Sequence, residues 1–321
     1  MSTQHLGMVA SSVYTIRLLL AEAERSLKAA GIDQAASEAA WLLEHVLHLS
    51  PLMQRVNAER EVSAVECASV QTLVARRATR EPLQYLLGTQ EFCGQEFGVT
   101  PSVLIPRPES ALLVQEAIRR CRQNPAATVV DVGTGSGCLA VSVASILPQA
   151  RVLAIDVSSD ALAVARANLA QYGLAARVEC VRGDLLAPLD MYAWASQVDV
   201  ILSNPPYIAD LDLLTLQPEV RCFEPRVALA GGHDGMDVHR RLLQQAPTYL
   251  KPGGVLLMEV GLGQAASVCR QAEKSRWFRT YDVLRDEGGI DRVVCFEKTE
   301  GPQTPQNDRT HMPSVTSGSP S

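Results

Sequence analysis

The chain has 321 residues, 47% of them hydrophobic and 20% charged, so it can bury a sizeable core and is long enough for about two domains. Its formal net charge of −6 argues against a protein that binds the phosphate backbone of nucleic acids. The 8 cysteines are scattered without a CxxC pair, which argues against a disulfide framework and is typical of free thiols in a reducing cytosol.

The sequence carries no targeting or membrane signal. Its N-terminal segment lacks the basic stretch and apolar run of a signal peptide, and no apolar run approaches the roughly 18–20 residues needed to span a bilayer. His45 and His48 lie one helical turn apart without a cysteine or carboxylate cluster, so no metal site is predicted. We expect a monomeric cytoplasmic protein that has no membrane contact.

Residues 1–85 are predicted to form a small all-α domain. Apolar side chains recur at helical spacing over residues 16–27 and 40–47, and Pro51 closes the second segment. Charged and polar positions separate the apolar ones, as in a small amphipathic bundle. Because no catalytic constellation occurs there, we interpret this region as a docking or lid domain.

The pattern of apolar and polar residues changes after this domain. Residues 86–108 alternate apolar positions with Gly and Pro, which predicts a β-hairpin linker. Across residues 109–298, strands alternate with helices and end in a hairpin, which predicts an α/β fold: a seven-stranded, Rossmann-like, mostly parallel sheet with one antiparallel strand. Residues 299–321 are rich in Pro, Ser, Thr and Gln, and are predicted to be a disordered tail.

A glycine turn follows the first strand of the sheet, in the segment Asp131-Val-Gly-Thr-Gly-Ser-Gly. Its GxGxG spacing differs from the patterns of dinucleotide and P-loop sites, and no lysine follows to meet a phosphate. Glycines at alternate positions let the backbone approach a ligand closely, and a ligand with little negative charge, such as S-adenosyl-L-methionine, is favoured. The residues expected to contact it are Gly133, Thr134, Gly135, Ser136 and Gly137.

Acidic residues end the next two strands. Asp156 lies about twenty residues beyond the glycine turn, where a carboxylate can accept both ribose hydroxyls. Asp184 and Leu185 end the third strand, where the carboxylate can accept from the exocyclic amine of adenine and the leucine can pack on the ring. Each acidic residue alone can be a helix cap or a turn residue. Three such features at the ends of successive strands predict a nucleoside site.

The fourth strand runs into residues 204–207, Asn-Pro-Pro-Tyr. As an isolated tetrapeptide this is an ordinary stiff loop, but its place at the carboxyl edge of the sheet favours a catalytic role. An amide or exocyclic amine nitrogen is a poor nucleophile, and Asn204 and the Pro205 carbonyl can each accept one of its N–H groups. Tyr207 is expected to pack on the planar group. In-line attack on a sulfonium methyl then needs no general base.

At this point the chain resembles a known family. The Asn-Pro-Pro-Tyr loop resembles that of amino-methyltransferases, whose acceptors are adenine, cytosine or glutamine nitrogens. Residues 82–110, 223–236 and 285–294 are similar to the PrmC/HemK family, the release factor glutamine methyltransferases. The resemblance covers most of the chain as far as about Lys298, and its most specific pair is LIPRPE (104–109) with NPPYI (204–208).

The resemblance implies a class I methyltransferase that modifies the glutamine of the Gly-Gly-Gln motif in bacterial peptide chain release factors. It also implies that the helical domain helps to bind that partner. By position, the cofactor contacts are Gly133 to Gly137, Asp156, Leu185 and Asn204. The residues implied to hold the glutamine or line its pocket are Asn204, Pro205, Pro206, Tyr207, Phe97 and Arg107.

The chain departs from the family pattern at two positions. Many members have an aromatic residue where this chain has Leu185, so the packing on adenine is expected to be weaker. Ser110 replaces the more usual threonine of the IPRPET pattern, which we regard as a minor change.

Other acceptors stay open at this stage. A DNA adenine or cytosine methyltransferase needs a basic target-recognition domain and a pocket for a flipped base, whereas this chain is acidic and has a small helical domain. A related enzyme that methylates a ribosomal-protein glutamine is disfavoured by the LIPRPE segment. We therefore expect a release factor as the partner and no direct contact with nucleic acid.

A regulatory module that binds the cofactor without catalysis is the alternative outside the enzymes. The intact Asn-Pro-Pro-Tyr loop argues against it, because binding alone has no use for two hydrogen-bond acceptors beside the methyl group.

Overall fold

A computed structural model describes residues 14–301 of the chain. The predicted tail beyond residue 301 lies outside the described residues, as do the first 13 residues. None of the helices in residues 14–301 combines the length and apolarity that a bilayer-spanning helix requires.

The first part of the chain is helical. Over the described residues its helices are α1 (Ile16–Ala29), α2 (Ala35–Leu47), α3 (Pro51–Val56), α4 (Ala64–Ala78) and α5 (Leu83–Leu87). Their ends are set by side-chain caps: Thr15 accepts the N–H of Leu18, and Ser63 forms a capping box with Glu66 at the start of α4. The apolar faces meet in one core, which confirms the predicted helical bundle.

A short hairpin and an α/β domain follow. The strands are β1 (Thr89–Phe92), β2 (Gln95–Gly98), β3 (Thr128–Val132), β4 (Arg151–Asp156), β5 (Val178–Arg182), β6 (Val198–Ser203), β7 (Leu250–Glu259), β8 (Phe278–Arg285) and β9 (Asp291–Lys298). The helices are α6 (Ala111–Cys121), α7 (Cys138–Ile146), α8 (Ser159–Gln171), α9 (Pro218–Phe223), α10 (Asp237–Tyr249) and α11 (Ala265–Ser275).

The large sheet has seven strands within the described residues, in the order β5-β4-β3-β6-β7-β9-β8. Its pairs are parallel except those of β9, which runs antiparallel to both β7 and β8. The predicted α/β fold with one antiparallel strand is therefore confirmed. The chain enters the sheet at β3, fills one side with β4 and β5, and returns to the other side with β6. This reversal opens a crevice at the carboxyl ends of β3 and β6.

Both faces of the sheet are covered, as successive side chains of a strand point to opposite sides. Val129 of β3 packs in a core with residues of α6 and α7, whereas Val130 packs in a second core with residues of α10 and α11. A strand buried on both faces reads as a continuous apolar run, which is why these strands were predictable from the sequence.

Arg77 of α4 joins the helical domain to the α/β domain. Its side chain is only 7% exposed and donates to Glu38 at 2.5 Å and to Glu219 of α9 at 3.1 Å. Arg80 donates to the same Glu219 at 2.9 Å. A buried cation that lost these carboxylates would destabilise the fold by about 3–5 kcal/mol, so the contact holds α9 against the helical domain.

Candidate active site

A cavity of about 460 Å³ lies at the carboxyl ends of the parallel strands. This is the size range of small-molecule sites. The sequence-predicted residues that line it are Gly133, Thr134, Gly135, Ser136, Asp156, Asp184, Leu185, Asn204, Pro206 and Arg107. The predicted residues outside its lining are Gly137, Pro205, Tyr207 and Phe97.

The glycine turn between β3 and α7 forms one wall. Gly133, Gly135 and Gly137 have φ values of 73°, 54° and 80°, a region that side chains rarely adopt. Gly137 is also packed against α8, because a Cβ there would lie 3.2 Å from the Cβ of Ala165. Gly137 thus shapes the turn from behind, whereas Gly135 faces open space.

Asp131 holds this turn from within the fold. Its Oδ2 accepts from the Thr134 hydroxyl at 2.6 Å and from the N–H of Ala140 at 3.2 Å. Complete burial raises the pKa of Asp131 to about 7, although these two donors act in the opposite direction.

Asp156 is fixed at the end of β4 by two backbone donors. Its Oδ2 accepts from the N–H of Gly135 at 2.9 Å, and its Oδ1 accepts from the N–H of Ser158 at 2.9 Å. Each carboxylate oxygen keeps a further lone pair. The side chain is therefore preorganised to accept two hydroxyl groups from a ligand in the cavity.

Asp184 has a partner that sequence reasoning missed. Its Oδ2 accepts from Arg241 of α10 at 2.6 Å, and Arg241 also lines the cavity. Leu185, beside it, has a φ of 52°, which is uncommon for a leucine and points to a tightly set turn. The predicted adenine end of the site is thus bordered by a solvent-exposed ion pair between two elements.

Asn204 lies at the cavity wall directly after β6. Its Nδ2 donates to the Ser110 hydroxyl at 3.0 Å, which leaves Oδ1 as a free acceptor. Ser110 comes just before α6 and is buried. Ser110 stands where the family more usually has threonine. Both residues carry a hydroxyl group, and this hydroxyl is the group that contacts Asn204.

Tyr207 turns away from the cavity. Its hydroxyl donates to Glu259 Oε1 at 3.3 Å, and its carbonyl accepts from Gln264 Nε2 at 2.9 Å. Burial, followed by the nearby Glu259, raises the pKa of the tyrosine well above its usual range, so the hydroxyl stays protonated. In this structure Tyr207 therefore anchors the loop, and it does not line the cavity as the resemblance implied.

Glu259 is the main residue that sequence reasoning missed. It ends β7, is 2% exposed, and its Oε2 accepts from the Ser110 hydroxyl at 2.5 Å. Burial raises the pKa of this carboxyl, while the hydroxyls of Ser110 and Tyr207 lower it. The signal was present, since an acidic residue stands at the carboxyl end of an otherwise apolar strand.

Arg107 is held at the cavity by a second missed residue. Its Nη2 donates to Glu224 Oε1 at 2.5 Å, and Glu224 Oε2 accepts from the N–H of Ile105 at 3.3 Å. Two of the three segments that carried the family resemblance, 82–110 and 223–236, thus meet in one ion pair, which fixes the Arg107 side chain at the cavity.

Phe97 does not line the cavity, and the expectation that it would is wrong. The side chain is 0% exposed and packs against Phe92 and Tyr172, with ring centroids 6.2 and 5.7 Å away. The hairpin lies against α8, where the Asn168 side chain bonds both the N–H and the carbonyl of Gly98. An apolar ring on the buried face of the hairpin is stabilised by its burial in this core.

The cavity fits S-adenosyl-L-methionine. Besides the open lone pairs of Asp156, the buried hydroxyl of Ser136 on its wall has no hydrogen-bond partner among the described residues. A buried hydroxyl without a partner is costly, and a polar ligand would satisfy it. The two arginines that line the cavity, Arg107 and Arg241, are each paired with a carboxylate, which suits a ligand without phosphates.

Comparison with known proteins extends over both domains. A family model described as the PrmC N-terminal domain matches residues 19–88, and the methyltransferase small domain matches residues 108–217. The release factor glutamine methyltransferase of Geobacter sulfurreducens is 46% identical over 282 residues, which are 88% of this chain and 96% of the relative. That of Moorella thermoacetica is 42% identical over 282 residues, 88% of this chain and 97% of the relative.

A solved structure supports the fold alone. The hMettl16 catalytic domain, in complex with the MAT2A 3'UTR hairpin 6, aligns with a TM-score of 0.51 at 14% identity, covering 77% of this chain and 87% of that one. The seven-stranded sheet described above is that of a class I methyltransferase.

Proposed function

Because the chain belongs to the family of release factor glutamine methyltransferases, we propose that it methylates the side-chain amide nitrogen of the Gly-Gly-Gln glutamine in a bacterial release factor. The observation that carries this proposal is the meeting of two motifs at one cavity. A Cβ on Gly133 would lie 4.0 Å from the backbone oxygen of Asn204, so the glycine turn and the Asn-Pro-Pro-Tyr loop share one wall.

S-adenosyl-L-methionine supplies an electrophilic methyl group on its sulfonium. We propose that the glycine turn, Asp156, Asp184 and Leu185 bind its nucleoside. Asp156 supports this role, since its two oxygens are already held in place by backbone donors. Arg241 borders the adenine end, where it pairs with Asp184.

Asn204 and Pro205 hold the acceptor amide in this proposal. The free Oδ1 of Asn204 accepts one N–H. The carbonyl of Pro205, the next residue along the loop although outside the cavity lining, is proposed to accept the other and to direct the nitrogen lone pair towards the methyl group. Arg107 and Pro206, on the same wall, border the acceptor. Once the methyl group has been transferred, the acidic nitrogen loses its proton to solvent without a protein base.

The helical domain, residues 1–85, is proposed to dock the release factor, with residues 86–108 as the linker to the catalytic domain at 109–298. Large apolar side chains on its surface support this role, among them Leu52 and Val56 of α3, which are 69% and 68% exposed. We further propose that the enzyme is a monomer in the cytoplasm, where release factors act. The net charge of −6 agrees with a protein acceptor contacted without nucleic acid.

The test is to incubate the purified enzyme with methyl-labelled S-adenosyl-L-methionine and one acceptor at a time. The acceptors are a release factor, the same factor with its Gly-Gly-Gln glutamine changed to alanine, a ribosomal-protein extract and duplex DNA. Label on the first alone supports the proposal. Label on the alanine variant, or on DNA in preference to the factor, contradicts it.

A further inference from the structure

We infer that Glu259, acting through the hydroxyl of Ser110, fixes which way the Asn204 side-chain amide faces, and so positions the acceptor. This inference rests on the proposed function, because it concerns how the acceptor nitrogen is held. Glu259 lies behind the cavity wall and is a positioning residue.

The contacts form a continuous chain from the core to the cavity. Asn204 Nδ2 lies 3.0 Å from Ser110 Oγ, and Ser110 Oγ lies 2.5 Å from Glu259 Oε2. Glu259 Oε1 accepts from the hydroxyl of Tyr207 at 3.3 Å. Both oxygens of one buried carboxylate thus receive hydroxyl groups that touch, or belong to, the Asn-Pro-Pro-Tyr loop.

The hydrogens in this chain can be assigned by counting donors. Burial raises the pKa of Glu259, but the two hydroxyl donors favour its ionised form, and a distance of 2.5 Å is typical of a hydroxyl that donates to a charged oxygen. In that ionised form the carboxylate can only accept. Ser110 has one hydrogen and gives it to Glu259, so towards Asn204 it can only accept. Asn204 must therefore turn Nδ2 to Ser110 and Oδ1 to the cavity.

The opposite orientation would defeat the acceptor site. With Oδ1 towards Ser110, the NH2 group of Asn204 would face the NH2 group of the glutamine, and two donors cannot bond each other. The acceptor nitrogen would then be held by the Pro205 carbonyl alone. An asparagine amide is nearly symmetric in shape, so packing does not decide between these orientations, whereas hydrogen-bond partners do.

Glu116 is a second buried glutamate, and its partners can be compared with those of Glu259. Glu116 of α6 is 4% exposed and accepts from Arg119 at 2.6 Å and from the Tyr281 hydroxyl at 2.7 Å. Glu259 has a tyrosine partner as well, but it forms no salt bridge within residues 14–301. A buried carboxylate without a cation is costly, and the partners that Glu259 does have are the hydroxyls of Ser110 and Tyr207.

The first experiment compares Glu259→Met with the matched Glu116→Met. Methionine fills a similar volume and accepts no strong hydrogen bond, so it frees the Ser110 hydrogen to reach Asn204. We expect Glu259→Met to lower kcat roughly 100-fold, with the Kd for S-adenosyl-L-methionine unchanged within about threefold. Glu259→Gln should fall in between, because its amide oxygen can still accept from Ser110. Glu116→Met should lower the Tm but keep kcat within about threefold of wild type.

A second pair of variants leaves Glu259 intact and covers the case in which Glu259→Met does not fold. Ser110→Ala removes the hydroxyl and should lower kcat in the same way, and Ser110→Thr restores the hydroxyl and should recover most of it. The Tm of each variant is measured alongside. Equal kcat values for Ser110→Ala and Ser110→Thr, or a wild-type kcat in Glu259→Met, would overturn the inference.

The orientation is also read directly, without turnover. In the protein labelled with 15N-asparagine, the Asn204 side-chain NH2 signal is assigned by its loss in Asn204→Asp. We expect one of its protons to exchange slowly with solvent in wild type and quickly in Glu259→Met and Ser110→Ala. Fast exchange in wild type refutes the inference even if the enzyme is active. Slow exchange in an enzyme that labels no release factor leaves the orientation intact and refutes the proposed function instead.

Discussion

The two sides of the cavity are built differently. On the proposed nucleoside side, backbone N–H groups close in sequence hold Asp156, those of Gly135 and Ser158, although the Asp184–Arg241 pair spans 57 residues. On the acceptor side, side chains from distant segments meet: Ser110 and Asn204 are 94 residues apart, and Ser110 and Glu259 are 149 apart. The glycine turn and Asp156 form a local motif that can be read from the sequence. The acceptor side exists only after the chain has folded, and its loss should affect turnover more than cofactor binding.

The strongest test of this contrast is Asn204→Ala. We expect methyl transfer to fall about 1000-fold because the acceptor loses its oriented oxygen, while the Kd for S-adenosyl-L-methionine changes by less than about fivefold. Single-turnover rates and calorimetric cofactor titration measure the two quantities. Asn124→Ala, at an exposed asparagine that bonds Asp199, is the matched control. Parallel losses in rate and affinity would show that Asn204 is a binding residue.

Asp131, which holds the glycine turn, should make the free energy of unfolding depend on pH. The folded state raises the pKa of Asp131 from 3.8 to about 7, so its contribution to the free energy of unfolding is full below about pH 4 and is lost as the pH rises through 7. In denaturant titrations without cofactor, the free energy of unfolding of the wild type should fall by about 3–4 kcal/mol between pH 4 and 8 because of Asp131. The Asp131→Asn variant should lack this part of the fall. Identical pH profiles for wild type and variant would mean that Asp131 is ionised in the fold.

Asp156→Ala should have the reverse effect of Asn204→Ala. Loss of two carboxylate acceptors is expected to weaken cofactor binding about 100-fold, with kcat at saturating cofactor reduced by less than about fivefold. Asp160→Ala, at an exposed carboxylate in the first turn of α8, serves as the control. If kcat falls more than affinity, the division between the two sides of the cavity fails.

The smallest expected effect is at Leu185. An aromatic ring in its place stacks on adenine, so Leu185→Phe should tighten cofactor binding about threefold to tenfold and leave kcat unchanged within error. The positive φ of 52° at this position adds strain for any side chain, and leucine already bears it. A weaker cofactor affinity in this variant would show that the adenine does not pack here.

Much of the fold followed from the sequence, because strands buried on both faces alternate with helices. The single antiparallel strand also followed, from the terminal hairpin. The place of Phe97 did not, since the packing of the hairpin against α8 depends on contacts such as that of Asn168 with Gly98, 70 residues away. Glu259 and Glu224 were missed for the same reason: their partners are brought to them by topology, and a lone acidic residue in a sequence carries no sign of its partner.

Helix α9 ties the two domains to the cavity by its two ends. Glu219 accepts a hydrogen bond from Arg77 of the helical domain, and Glu224, just after the same helix, accepts one from Arg107. One short helix therefore joins the domain proposed to dock the release factor to a side chain at the cavity. A displacement of that domain would reach Arg107 through two ion pairs, Arg77–Glu219 and Arg107–Glu224.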